Sequence, residues 1–195
     1  MTRVRLAVVL GAVAVLAMVG TAAVAVATYL DDDPSPVAEP LVVTDPATGA
    51  TFEVPDQGWQ VRDPAERISY GVASVSGPTV LDEGYCRARP EGSFRAMAGF
   101  TDESFDAWVD GVIGGERAVS TGTTRRRIVL AGGEPALLAH VGLLLGRDGC
   151  SPGAVDLAMV RAGGVRVVVV ADTDGSPGTL DHDELDEIAA TLELP

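Results

Sequence analysis

An unbroken apolar run, Leu6 to Leu30, constrains this chain more than any other feature. As a helix it reaches roughly 37 Å, enough to cross a hydrocarbon core of about 30 Å with some tilt. Arg3 and Arg5 precede it, and Asp31, Asp32 and Asp33 follow it. The positive-inside rule therefore predicts one transmembrane helix, with residues 1–5 cytoplasmic and everything beyond Leu30 outside. The expected form is a single-pass signal anchor in the cell membrane. Ala23-Val24-Ala25 and Ala25-Val26-Ala27 also offer the small-x-small pattern of a signal peptidase site. A cleavable apolar region usually runs about 7 to 15 residues, which favours the anchor, and either reading exports the rest.

Export sets how the remaining residues are read. About 165 residues follow the run, enough for one domain with a proper core. The chain carries a net charge of −14, and the two arginines before the run make the exported part more acidic still. Such a surface repels phosphate backbones, so nucleic acid is excluded as the expected partner. Every basic residue is an arginine, and neither lysine nor asparagine occurs. This removes the phosphate-loop lysine, the pyridoxal Schiff base and the Ser-x-x-Lys nucleophile pair. Cys86 and Cys150 are the only cysteines; outside the cytoplasm the expectation is a disulfide between them, closing a loop of about 65 residues for roughly 4 kcal/mol.

Along the chain, residues 31–49 carry Pro34, Pro36, Pro40 and Pro46 and read as an extended linker. Compact folding is expected over 50–195, with a first strand at Thr51–Val54 and Trp59 in the core. Further β-like runs are Ile68–Ser74, Thr79–Leu81 and Phe94–Phe100. A helix follows, with Thr101 as its cap, Phe100 and Phe105 as a hydrophobic staple, and Gly114-Gly115 as its end. Phe105, Trp108, Val109, Val112 and Ile113 fall on one face of it. Four strands come next, Arg126–Ala131, Ala136–Leu145, Val155–Ala162 and Val165–Ala171; short turns at Gly132-Gly133 and Gly163-Gly164 imply antiparallel order, and the Arg147–Gly153 loop joins the middle pair. In the second and fourth, both alternating sets are apolar, which places the sheet between two layers. A last helix from His182 to Leu192 has Asp181 and Glu184 as a capping box, Leu180 with Leu185 as its staple, and a buried stripe of Leu185, Ile188, Ala189 and Leu192. The fold class is α+β, a central antiparallel sheet flanked by helices.

No motif assigns chemistry. Asp172-Thr173-Asp174-Gly175 with Asp181 overlays part of a calcium loop, but Val170 stands at the first ligand position, and ordinary turn chemistry accounts for the segment. His140 lies within an apolar strand and reads as a lone core histidine, with His182 separately at a helix start. His-Glu-x-x-His and Gly-x-Ser-x-Gly are both missing. Arg125-Arg126-Arg127 is the one basic cluster; alternation sends the outer two to one face and the middle one to the other. The bland reading pairs it with surface carboxylates, the functional one docks an acidic partner. No catalytic, cofactor-binding or metal-ligating residue is assigned.

Several segments together resemble the membrane-anchored exported proteins of actinobacteria that carry a PsbP-like domain. They are Trp59 after the first strand, Gly84-Tyr85-Cys86, Ala98-Gly99, Arg127-Ile128-Val129-Leu130, Asp148-Gly149-Cys150-Ser151-Pro152, Val167 to Asp172, and Leu185-Asp186-Glu187-Ile188. The resemblance covers about residues 50–195 and implies an αβα sandwich used for binding and assembly more than for catalysis. The expected function is a non-catalytic, membrane-anchored extracytoplasmic module that binds an envelope protein or a small apolar ligand. The alternative is an exported hydrolase of cell-envelope substrates, whose mark would be a deep pocket holding His140 or His182 beside a Ser, Asp or Glu.

Overall fold

The computed structural model describes residues 39–70, 73–87, 93–116, 118–145 and 153–195. The apolar run 6–30, most of the linker and Cys150 lie outside them. Among the described residues no helix is long and apolar enough to cross a membrane. The elements in chain order are β1 (Leu41–Thr44), β2 (Thr51–Val54), β3 (Trp59–Val61), β4 (Arg67–Tyr70), β5 (Ala73–Leu81), β6 (Ala96–Phe100), α1 (Phe105–Glu116), β7 (Val119–Val129), β8 (Pro135–Leu144), β9 (Ala154–Ala162), β10 (Val165–Asp172) and α2 (His182–Ala190).

The last four strands pair in sequence, β7 with β8, β8 with β9 and β9 with β10, all antiparallel. β10 then pairs with β6 and β6 with β5, so the central sheet runs β3-β5-β6-β10-β9-β8-β7, and β3 and β4 share the outer edge of β5. Gly163 and Gly164, both with positive φ, make the tight β9–β10 turn. At Gly99 a Cβ would stand 2.8 Å from Cβ of Val75, so glycine is what lets β5 close onto β6 beside its register shift.

Alternation along the strands makes two cores. On one face α1 lays Phe105, Trp108 and Val112 over Val75, Met97, Val141, Leu143, Leu157 and Val168. On the other, Leu185, Ile188, Ala189 and Leu192, at and beyond the end of α2, pack with Phe52, Val54, Phe100, Leu138, Val160 and Val169. The β1–β2 hairpin covers part of this second face; Thr51 bridges to Glu193, and the Thr191 hydroxyl accepts from the Glu53 amide at 2.8 Å. The expected antiparallel sheet between helical layers is present.

Five local expectations are corrected. Leu41–Thr44, placed in the linker, is a strand: Val43 pairs with Phe52 and is buried. The cap of α1 is Ser104, whose hydroxyl accepts from the Ala107 amide at 3.2 Å. Thr101 instead accepts from Trp108 Nε1 at 2.9 Å and donates to the Ser74 carbonyl at 3.1 Å, fixing the indole to the sheet. The Phe100–Phe105 staple does not form, because strand parity turns Phe100 to the α2 face, against Phe52, while Phe105 lies under α1. Finally, β7 begins at Val119, seven residues before the expected strand; α1 likewise continues past Gly114-Gly115 to Glu116.

Candidate functional site

The capping box of α2 forms as the sequence implies: Asp181 Oδ1 accepts from the amides of Asp183 and Glu184, and Glu184 Oε2 accepts from the Asp181 amide. This fixes where the first turn starts, and so where His182 and Asp186, four residues apart on one side of the helix, meet the sheet. Beneath them is His140 of β8, on the same face as Leu138 and paired with Ala158. Asp156 of β9 lies across from Gly142. A Cβ at Gly142 would come within 3.2 Å of Asp156 Oδ1 and 2.6 Å of Thr121 Oγ1, so the glycine leaves the carboxylate its room.

These elements converge on one cluster. His140 Nδ1 is 3.0 Å from Asp186 Oδ1, and His140 Nε2 is 3.2 Å from Asp156 Oδ2. His182 Nδ1 stands 3.6 Å from the same Asp156 oxygen, and its ring centroid is 3.6 Å from that of His140. Arg126 donates to Asp186 Oδ2 at 2.9 Å, and Thr173 donates to Asp156 Oδ1 at 3.3 Å. The His140 side chain is 4% exposed and that of His182 53%, so the cluster runs from the core to the surface. Burial alone would disfavour a charged His140, but hydrogen bonds to Asp156 and Asp186, and then their charges, outweigh it and raise its pKa. Burial also pulls Asp156 upward; its bond to His140 and the imidazolium charge overcome this and lower it. His140 is thus held between two carboxylates that favour its protonated form, not the lone core histidine expected from its apolar strand.

The opposite face carries a different arrangement. Arg127, Leu137, Arg161 and Arg166 stand in register across β7, β8, β9 and β10, so strand pairing puts them in one row. With Pro135, Ala136 and Gly163-Gly164 they line an open groove of about 590 Å³. Among the described residues none of these three arginines forms an ion pair. Their neighbours do: Arg125 pairs with Asp106 of α1 and lies over the Phe105 ring, while Arg126 reaches Asp186 on the other side. The expected alternation of the arginine cluster therefore holds. The bland reading fits Arg125 and Arg126 but not Arg127.

A third group lies at the end of β10. Asp172 is buried, and burial raises its carboxyl to about 7, against the opposing hydrogen bond from Tyr85 and the charge of Arg95. Burial, then the charge of Asp172, raises Tyr85. Arg95 lies 4.7 Å over the Tyr85 ring. The segment read as a partial calcium loop is a turn in which Asp174 Oδ1 accepts from the Ser176 amide. Cys86 is buried and no described cysteine is free. Trp59 is core, as expected.

Sequence reasoning missed Asp156, Asp186, Arg161 and Arg166. Asp156 was findable as the one acid at inward parity in an apolar strand, and Asp186 as the residue one helical turn after His182. Arg161 and Arg166 sit symmetrically about the Gly163-Gly164 turn, which alone pairs them.

Residues 33–195 match the family model described as Domain of unknown function (DUF8017). No curated protein matches the chain. The chain is similar to the solution structure of cyanobacterial PsbP (CyanoP) from Synechocystis sp. PCC 6803, with a TM-score of 0.44 and 12% identity, over 83% of this chain and 96% of that chain.

Proposed function

Because this chain belongs to the family described as Domain of unknown function (DUF8017), we propose its function from its own geometry: a membrane-anchored, extracytoplasmic binding module that docks an acidic segment of an envelope protein. The observation that carries this reading is the row of Arg127, Arg161 and Arg166, free of ion pairs among the described residues, on a chain of net charge −14. Each guanidinium can take a carboxylate through two parallel hydrogen bonds. Adjacent strands lie about 4.8 Å apart, so Arg161 and Arg166 stand about 5 Å apart at the backbone and Arg127 about 10 Å further along. An extended acidic segment crossing the strands matches that spacing, and Leu137 gives it an apolar contact midway. The run Leu6–Leu30 would hold the module at the membrane, and a Cys86–Cys150 bridge would brace it.

The hydrolase reading has less support. A general base needs a free lone pair within reach of substrate, and both ring nitrogens of His140 face carboxylates in the buried part of its cluster.

The test is photocrosslinking in intact cells, with the probe residue at Leu137 and, as control, at Glu187 on the exposed side of α2. The reading expects one acidic peptide captured from Leu137 only. As a synthetic peptide it should bind the purified chain, more weakly as salt rises, and at least about tenfold more weakly after Arg161→Gln. Capture equal at both positions, or peptide binding unaffected by Arg161→Gln, overturns it. So does a retained apolar molecule in place of a peptide.

A further inference from the structure

On the face opposite the arginine row, we infer that His140, Asp156 and His182 form a binding site for a divalent transition metal of the zinc class, with Asp186 as the carboxylate that orients His140. The three ligand atoms lie within 4.8 Å of one another. Zinc takes nitrogen and oxygen ligands at about 2.0 to 2.1 Å, and the edge of a tetrahedron of that size is about 3.3 Å. The separations from Asp156 Oδ2, 3.2 Å to His140 Nε2 and 3.6 Å to His182 Nδ1, bracket that edge.

The surroundings are those of a metal site as well. A ligating histidine donates its other ring N–H to a carboxylate, which fixes the tautomer and aims the free nitrogen. Asp186 stands in that position at Nδ1 of His140, and Arg126 holds Asp186 in turn. Thr173 donates to the second oxygen of Asp156 and leaves Oδ2 turned to the histidines. Two imidazoles and one carboxylate suit zinc, and they leave a fourth position for water. His140 and Asp156 are fixed by the sheet. His182 is the mobile ligand: half exposed on the first turn of α2, it turns its ring out of the stack on His140 to complete the set. The metal replaces the proton between His140 Nε2 and Asp156, which passes to solvent, and it ties the start of α2 to β8 and β9.

Hydrogen bonding alone does not explain His182. Its contact with Asp156, at 3.6 Å, is long for a hydrogen bond and makes the smallest of the contributions that lower the Asp156 carboxyl. A purely structural bracket needs only Asp156, His140 and Asp186.

The test uses the full-length chain, purified in detergent without a histidine tag and titrated with Co²⁺ and then Zn²⁺. The expected result is one Co²⁺ per chain with the visible absorption of a four-coordinate ion, displaced by Zn²⁺, and a higher unfolding temperature with metal bound. Asp186→Asn should weaken binding about 10- to 100-fold, and His182→Ala should weaken it further. His182→Ala should leave the metal-free unfolding midpoint unchanged, which separates lost ligation from lost folding. No uptake of either ion, or uptake that His182→Ala leaves intact, overturns the site.

Discussion

The two faces of the sheet solve burial differently, and β8 shows both solutions. Its residues Ala139, Val141 and Leu143 face α1 and are apolar, whereas Leu138, His140 and Gly142 face α2 and carry a charged cluster among apolar neighbours. The α1 face is held by shape and area, and Trp108 seals it. The α2 face trades some of that packing for an imidazole and two carboxylates whose partners lie on β7, β8, β9 and α2. Apolar packing is tolerant of which partner supplies the contact, while a buried charge network is satisfied in one register only. The difference puts the indole-sealed apolar core on the face that also carries the arginine row, and the histidine–carboxylate cluster on the other.

The largest expected effect is on the apolar face. Trp108→Ala removes the largest fully buried side chain and leaves Thr101 without its indole donor. A loss of about 3 to 5 kcal/mol is expected in denaturant unfolding. The comparison breaks if the loss is under about 1 kcal/mol.

The polar face should respond with the opposite pattern. Asp186→Leu leaves His140 with Asp156 as its remaining carboxylate and frees Arg126, whose side chain is largely exposed; it should cost about 1 to 3 kcal/mol. Adding His140→Leu and Asp156→Leu removes the remaining members of the buried network together, and the triple variant should be at least about 1 kcal/mol more stable than the sum of the three single losses predicts. A triple variant as unstable as the sum of the three singles would show the network to be a source of stability, and the contrast between the faces would fail.

Much of this was legible, and the limits are physical. The capping box of α2 and the stripe of α1 are local, set by neighbours three and four residues away, so sequence spacing carries them. β8 and β10 declare themselves by apolar residues at both parities. β7 is exposed over nearly its whole length; Val-Ser-Thr-Gly-Thr-Thr at its start has no buried face to leave a pattern. The bend of its register near Gly122 adds to this. β1 is four residues between prolines, held by a hairpin partner rather than by its own periodicity. The two candidate sites were the least legible. His140 and His182 meet only through the docking of α2, and Arg127, Arg161 and Arg166 align only through the register of four strands.

Each face also carries one perturbed aspartate, and their opposite shifts give the finest test. Asp156, on the α2 face, is lowered because His140 compensates its burial. Asp172, at the rim of the α1 face, is raised to about 7, because burial exceeds what the Tyr85 hydroxyl and Arg95 return, and Asp174 adds repulsion. A carboxyl whose folded pKa exceeds its unfolded value contributes stability that is complete below pH about 4 and lost as pH rises through about 7. Asp172→Asn stays neutral and removes that dependence. The stability difference between the native chain and the variant should therefore be flat below pH 4. It should shift in favour of the variant by about 2 kcal/mol up to pH 8, after allowing for solvent screening at the rim. Taking the difference cancels Asp156 and every other group common to both chains. Unfolding midpoints measured from pH 4 to 8 give the result directly. A difference that stays constant across that range would mean that Asp172 is compensated as well as Asp156 is, and that the two faces differ in packing but not in how they treat charge.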